Sequence, residues 1–316
     1  MALVPPGSAL RAPVALLIFN RADLTAQLFA AIRAARPQRL LVVADGPRNG
    51  AEAARCQAAR DVIRVDWDCQ LSTHYSDVNL GCKGRISSGI DWIFSQVEEA
   101  IILEDDTLPS PTFFGFCQAL LERYRDDERI MNIGGTNLYP RPLPSARRDS
   151  YYFARYGATG GWATWRRAWK HYDVTMAAWP EFKRSGRIKD MFESRAEQLY
   201  WTMLFDAQYE QRIDTWDYQW LFARLMQGGL SAIAAVNMVV NLGFRADATH
   251  SVAMPKPWYP ARHSHDLHEL VHPPAVLPLR EADRHLFDEI FNPHGTAGLA
   301  LFGLRRLAQN VRDSLG

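Results

Sequence analysis

Short apolar runs alternate with segments of helical spacing through the first third of the chain. The predicted strands are 14–19, 40–44, 69–74 and 101–103, and the predicted helices are 23–35, 51–63 and a pattern across 86–94. Apolar runs this short are typical of strands that are buried on both faces of a parallel sheet. The βαβαβαβ order therefore predicts an α/β fold with a mostly parallel sheet and helices on both faces.

The pattern changes in the second half, where aromatic residues become frequent. A helix is expected from near Thr112, strands at 130–133 and 151–153, a helix that opens within 213–220, and a strand-like stretch at 232–240. Seven tryptophans fall within this part: Trp162, Trp165, Trp169, Trp179, Trp201, Trp216 and Trp220. Large rings bury much apolar area, so we expect most of them in the core.

The expected organisation has three parts. Residues 1–12 are expected to form a disordered lead-in, 13–253 the main domain with a division after residue 135, and 254–316 a C-terminal extension. The extension begins rich in proline and histidine, which predicts a solvated connector. Its amphipathic end, 298–315, is expected to pack on the body of the protein, with peripheral contact to an anionic membrane as the alternative.

Composition narrows the classes of partner. The chain has 36 basic and 35 acidic residues, for a formal net charge of +1, so no overall field points to nucleic acid. None of its four cysteines forms a CxxC pair, which fits free thiols in a reducing cytosol. No segment approaches the roughly 20 apolar residues of a membrane span. We expect a soluble, cytoplasmic protein.

Three consecutive acids, Glu104, Asp105 and Asp106, end the apolar run at 101–103. In open α/β sheets, ligands bind outside the carboxyl ends of the strands, and carboxylates there suit a hard cation and its phosphate ligand. The alternative is that Glu104 and Asp106 are loop acids that cap the helix near Thr112. Three adjacent acids repel one another unless cations compensate them, which favours the metal interpretation.

Other polar residues stand where predicted strands end or helices begin. Arg21 and Asp45 follow the first two strands and are expected along the same edge as the acids. Lys83 and Arg85 follow an Asn-Leu-Gly turn and either neutralise a diphosphate or are solvated charges at a helix start. The sequence leaves both interpretations open.

Two candidates come from the aromatic half. Asp217 lies between Trp216 and Tyr218 in the first turn of a predicted helix, so it is either a partly desolvated general base or an acid favoured by the helix dipole. Trp162 follows two glycines, so it either lines a cleft for a flat ligand or belongs to the core.

The polar loop 243–251 follows the last predicted strand. It is expected to close over a bound ligand, with Arg245 as a fixed charge and His250 as either a metal ligand or a solvated side chain.

Together these motifs resemble the GT-A-fold glycosyltransferases, in particular the N-acetylglucosaminyltransferase I type and bacterial family 2-like enzymes. The order that carries the likeness, across about 14–251, is 14–21, Asp45-Gly46, 79–83, 102–106, Phe113-Phe114, 160–162 and Trp216-Asp217. The family segment has two adjacent acids after its tryptophan, whereas Tyr218 follows Asp217 here. Nothing after residue 253 matches.

The resemblance implies a role for each matched residue. Arg21 and Asp45 would hold the nucleoside, Asp105 the ribose, Asp106 the divalent metal (Mn²⁺ or Mg²⁺) and Glu104 the donor sugar. Asp217 would be the general base. The 13–135 half would then bind the nucleotide sugar and the 136–253 half the acceptor.

The resemblance also implies the reaction. The donor would be a nucleotide-diphosphate sugar, with a UDP-sugar expected first, and the acceptor a hydroxyl of a glycan or another molecule, attacked with inversion. The alternatives are a non-catalytic domain that binds a nucleotide sugar or glycan, and a nucleotidyltransferase with a similar sheet.

Overall fold

The computed structural model describes residues 10–139, 149–244 and 263–292. The chain divides into two compact units, one of residues 1–174 and 215–279 and one of 175–214 and 280–316. The strands are β1 Val14–Ile18, β2 Arg39–Ala44, β3 Gln70–Tyr75, β4 Glu99–Glu104, β5 Thr107–Pro109, β6 Ile130–Gly134, β7 Tyr151–Ala154, β8 Trp162–Trp165, β9 Leu230–Ala234 and β10 Val239–Asn241. The helices are α1 Ala22–Ala35, α2 Gly50–Asp61, α3 Gly81–Gln96, α4 Phe113–Arg123, α5 Arg166–Trp169, α6 Trp179–Arg184, α7 Ile188–Met191, α8 Arg195–Tyr209, α9 Asp217–Met226, α10 Arg280–His285 and the π-helix Leu286–Phe291.

The first unit is built on an eight-stranded sheet with the order β3-β2-β1-β4-β8-β6-β9-β7. Strands β3, β2, β1 and β4 pair in parallel, β8 and β7 run antiparallel to their neighbours, and β6 pairs with β9 in parallel. The predicted α/β class, with a mostly parallel sheet flanked by helices, is confirmed.

The side chains of β1 pack against helices on both faces of the sheet, which explains why its apolar run is continuous. Leu16 packs in a cluster with Leu28 of α1 and Leu120 of α4, whereas Leu17 packs in the other cluster with Ile90 and Ile93 of α3. The strand is therefore covered on both faces, and every position must be apolar.

Four strands differ from the sequence prediction. The stretch 232–240 is divided between β9 and β10, and neither β5 nor β8 was predicted. β5 pairs with β10 in a separate two-stranded sheet in which Pro109 stands opposite Val239. Proline has no N–H to donate to a neighbouring strand, and it is tolerated there because Pro109 lies at the end of an edge strand.

Residues 263–279 of the predicted connector are mostly exposed or half-exposed, but they contact the first unit at several points. The Ser150 N–H donates to the Val271 carbonyl at 2.9 Å, Leu270 is buried, and the Tyr151 hydroxyl lies 2.9 Å from Nδ1 of His272. This segment forms part of the first unit. Of the predicted lead-in 1–12, residues 10–12 pack on the first unit: Leu10 and Ala12 are buried, and the Arg11 N–H donates to Gln118 at 2.7 Å. Residues 1–9 and the amphipathic end 298–315 lie outside the described residues.

The second unit has its own aromatic core. Trp201 stacks on Phe192 and Phe205, and the Trp179 indole donates to Asp206, which also pairs with Lys183. Among the described helices of the chain, none is long and apolar enough to cross a membrane.

Candidate functional site

The candidate site lies where β1, β2 and β4 end. Their parallel pairing brings three carboxyl ends to one edge, so the residues that follow them, Arg21, Asp45 and Asp105-Asp106, lie along it. The prediction that Arg21 and the acids share this edge is confirmed by their direct contact.

The Arg21 guanidinium neutralises two of the three acids. Its Nη2 contacts Asp105 Oδ1 and lies 3.1 Å from Asp106 Oδ2. Asp105 is buried and also accepts a hydrogen bond from the Phe19 N–H at 3.4 Å. The Asp106 side chain keeps 23% of its surface exposed, against 4% for Asp105, so Asp106 is the more accessible of the pair.

The charge of Asp217 acts on the acids at this edge. Burial, together with the charges of Asp106, Asp105 and Asp217, raises the pKa of Glu104 to about 8. Burial also raises the pKa of Asp105 to about 6, although Arg21 opposes that shift. The upward shift of the Glu104 pKa shows that a further negative charge is disfavoured beside the other acids.

Asp217 occupies the first turn of α9 and accepts a hydrogen bond from the Thr215 hydroxyl. Its carboxylate is half-buried. The contact holds the side chain in place and leaves carboxylate lone pairs that can accept a proton.

Asp105 and Asp106 lie in a tight turn between β4 and β5. The Thr107 hydroxyl donates to the Glu104 carbonyl at 2.7 Å and accepts from the Glu104 N–H at 3.1 Å, closing the turn between β4 and β5. At the start of α4, the Thr112 N–H donates to Asp266 at 3.2 Å. The alternative in which Glu104 and Asp106 cap this helix is therefore not supported.

Asp45 lies in a hydrogen-bonded pocket after β2. It accepts from the N–H groups of Gly46 and Leu80 and from the Asn79 side chain, each at 2.9 Å. Burial raises its pKa, while these bonds and the charge of Arg85 oppose the shift. A Cβ on Gly46 would lie 2.5 Å from the Val78 backbone, so only glycine fits this turn. Asn79 was noted in the sequence as part of a turn, and its contact with Asp45 was not predicted.

The two basic candidates on α3 differ. Arg85 is buried and donates to the carbonyls of Ala44 and His74, with its Nη2 3.2 Å from His74 Nδ1. Burial lowers its pKa despite the charge of Asp45. These contacts join the ends of β2 and β3, so Arg85 acts as a structural support. Lys83 lies in the first turn of α3 and is half-exposed.

Trp162 is a core residue. Its ring is fully buried, stacks on Trp216 at 5.6 Å and contacts Trp169 and Trp220. This position contradicts a direct acceptor contact, because no part of the ring is exposed. The sequence could not separate the two interpretations, since glycines beside a tryptophan occur in both.

Arg245, His250 and the rest of the predicted closing loop from residue 245 lie outside the described residues. Within the described ranges, no group of three or more His, Cys, Asp or Glu side chains is arranged to hold a metal. Asp106 is more exposed than Asp105, so it is the better placed of the two to bind a cation. Carboxylate oxygens suit Mg²⁺ and Mn²⁺.

No protein-family model and no curated protein matches the chain. Among solved structures, it is similar to the mannosyltransferase PcManGT from Pyrobaculum calidifontis in complex with GDP-Man and Mn²⁺, at 13% identity over 71% of this chain and 73% of that chain, with a TM-score of 0.40. It is also similar to UDP-glucose pyrophosphorylase complexed with UDP-glucose, at 11% identity over 46% of this chain and 62% of that chain, with a TM-score of 0.26. Similarity this low carries no argument about activity.

Proposed function

We propose that the protein is a metal-dependent glycosyltransferase that moves a sugar from a nucleotide-diphosphate donor to an acceptor hydroxyl with inversion. The observation that carries the proposal is the run Glu104, Asp105 and Asp106 at the carboxyl edge of the parallel strands, with Arg21 as its counter-charge and with the charge of Asp217 acting on Glu104. A purely structural role would not require these acids to lie so close together, because mutual repulsion and burial both act against them.

The nucleoside is proposed to bind beside Asp45, where Asn79 and two backbone N–H groups already fix the carboxylate. Arg21 holds Asp105 in place for the ribose. Lys83 is a further candidate for the diphosphate, and Arg85 supports the pocket from below without contacting the donor. The UDP-sugar remains the first donor to test.

Asp106 would hold the cation, whose charge offsets the charge that develops on the leaving diphosphate. Asp217 accepts the proton of the acceptor hydroxyl as its oxygen forms a bond to the anomeric carbon. The bond from that carbon to the diphosphate oxygen breaks, and the diphosphate leaves with the electron pair. Glu104, next to Asp105 in the same turn, would contact the donor sugar.

Calorimetry of the full chain with UDP, GDP and their sugars, with and without Mn²⁺, tests the proposal. We expect Mn²⁺-dependent binding that is lost in Asp106→Ala and kept in Asp68→Ala, an exposed acid on another part of the surface. Release of nucleoside diphosphate from the bound donor would then identify transfer or hydrolysis.

The same samples separate the alternatives. Formation of nucleoside triphosphate and sugar 1-phosphate from donor and pyrophosphate would identify a nucleotidyltransferase. Metal-dependent binding without turnover, across a panel of sugar acceptors, would favour a binding domain.

A further inference from the structure

A buried carboxylate that the proposed reaction does not use lies beside the ends of β1 and β2. Glu52, in the first turn of α2, keeps only 2% of its side chain exposed. It accepts a hydrogen bond of 2.7 Å from the side chain of Asn20, which follows β1, and further bonds from Arg48, which follows β2. The two loops that leave these strands are therefore joined through one carboxylate.

Glu52 fixes the position of the Arg48 guanidinium. Nε of Arg48 lies 3.0 Å from Oε2 of Glu52, Nη2 contacts Oε1, and the Arg48 backbone N–H donates to Oε2 at 2.8 Å. The side-chain bond is the largest cause that lowers the pKa of Glu52 to about 2, so the carboxylate is charged at neutral pH. Because two of the three guanidinium nitrogens bind Glu52, the parts left for a ligand are Nη1 and the flat faces.

An aromatic ring at the edge of the site lies against this guanidinium. Cζ of Arg48 is 5.4 Å from the centroid of the Phe19 ring, which is within the range of a cation–π contact. The Phe19 N–H donates to Asp105 at 3.4 Å, so the pair stands next to the acid beside which the ribose is proposed to bind. The Arg48 side chain is 58% exposed, so a flat ligand can reach the guanidinium.

We propose that the nucleobase of the donor stacks on the Arg48 guanidinium, which Phe19 supports from the other side. The inference rests on the proposed function, because it names the base-binding part of the same nucleotide site. Bases stack on arginine planes as they do on aromatic rings, and every base has a π-face, so this contact does not select one base. A plane that Glu52 already holds in place loses less conformational entropy when the base binds.

Calorimetry with two probes separates a base contact from a phosphate contact. UDP carries a base and a diphosphate, whereas inorganic pyrophosphate has no base, and each is titrated into the full chain with Mn²⁺. Arg48→Ala is expected to weaken UDP binding by between about fivefold and a hundredfold, the usual contribution of one stacked base. GDP should lose a similar factor, and the affinity for pyrophosphate should stay unchanged.

Arg48→Lys distinguishes the flat guanidinium from its charge. Lysine keeps a cation that can pair with Glu52 but has no plane, so we expect UDP affinity to fall as in Arg48→Ala. Arg55→Lys is the matched control, because Arg55 is 59% exposed and pairs with the same carboxylate at 3.1 Å from further along α2. It should bind UDP as the unsubstituted protein does. Equal losses in the Arg48 and Arg55 variants would assign the effect to the ion pairs of Glu52 and overturn the stacking contact.

The remaining outcomes separate the two proposals. A loss of pyrophosphate affinity equal to the loss for UDP, at an unchanged circular dichroism spectrum, would make Arg48 a phosphate ligand and overturn the stacking contact. Normal UDP binding by Arg48→Lys would also overturn it while the proposed function stands, and this variant decides the matter if Arg48→Ala fails to fold. If the unsubstituted protein binds neither UDP nor GDP in the presence of Mn²⁺, both proposals are overturned.

Discussion

One nitrogen of the Arg21 guanidinium contacts the carboxylates of both Asp105 and Asp106. Two adjacent acids on a tight turn thereby share one cation that comes from the start of α1. Burial alone would lower the pKa of Arg21, but the ion pairs with the two aspartates raise it above its ordinary value. The ion pairs of Arg21 thus connect the start of α1 to the turn after β4.

Arg21→Met tests this arrangement. Loss of one partner leaves the buried Asp105 without its counter-charge, and breaking a buried pair costs about 3 kcal/mol of unfolding free energy. Urea denaturation without divalent cations should show that loss. Arg33→Met, on the same helix and paired with Asp66 at an exposed position, should cost under about 1 kcal/mol. Equal losses in the two variants would show that Arg21 is an ordinary surface charge.

Asp217→Asn tests the general base. The amide keeps the shape of the side chain and removes its basicity, so donor binding should persist while transfer falls roughly 10²- to 10⁴-fold. Asp214→Asn changes an exposed acid three residues earlier and serves as the control. Transfer would be measured by release of nucleoside diphosphate in the presence of acceptor. Normal transfer by the Asp217 variant would assign the base elsewhere.

Glu52 predicts a pH dependence of stability. Hydrogen bonds from Arg48 and from Asn20 lower the pKa of this buried carboxylate from 4.5 to about 2. Because the folded-state pKa is depressed, the stabilisation is present above pH 4.5 and is lost as the pH falls toward 2.

Glu52→Gln should therefore be less stable than the unsubstituted protein at pH 7, and the difference in unfolding free energy should shrink between about pH 4.5 and pH 2. Denaturant titrations at several pH values measure this difference. A difference that is constant with pH would exclude the charged hydrogen bonds as its source.

Two glycines of α3 predict opposite effects of the same substitution. A Cβ on Gly89 would lie 2.7 Å from Val43 of β2, whereas a Cβ on Gly84 would meet Leu80 at an ordinary 3.7 Å. Gly89→Ala should destabilise the fold by about 1–3 kcal/mol through overpacking. Gly84→Ala should stabilise it by up to about 1 kcal/mol, because alanine favours the helix. Thermal unfolding of both variants checks the pair.

The parallel part of the fold was predictable because its strands are covered on both faces and therefore appear as continuous apolar runs. β8 was not, since Trp162–Trp165 pairs antiparallel with both β4 and β6, and such long-range pairing leaves no local pattern. Helix α8 was also not predicted. Its buried positions include the polar residues Glu197, Asp206 and Gln208, so they do not form an apolar stripe that can be recognised in the sequence.

The site was predictable to the extent that strand ends determine it. Arg21 and the acids were predicted at one edge because parallel strands end together. The sequence could not show that the side chains of Arg85 and Trp162 are buried. Their burial rules out direct contact with a ligand.

The short pairing of β5 with β10 makes the arrangement of the chain around Asp106 depend on a local folding event. Two-stranded sheets of this length are only marginally stable alone, so their opening requires less free energy than global unfolding. The Leu242 amide donates to the Asp106 carbonyl across this pairing. Its rate of hydrogen–deuterium exchange therefore reports how often the backbone that follows Asp106 separates from β10.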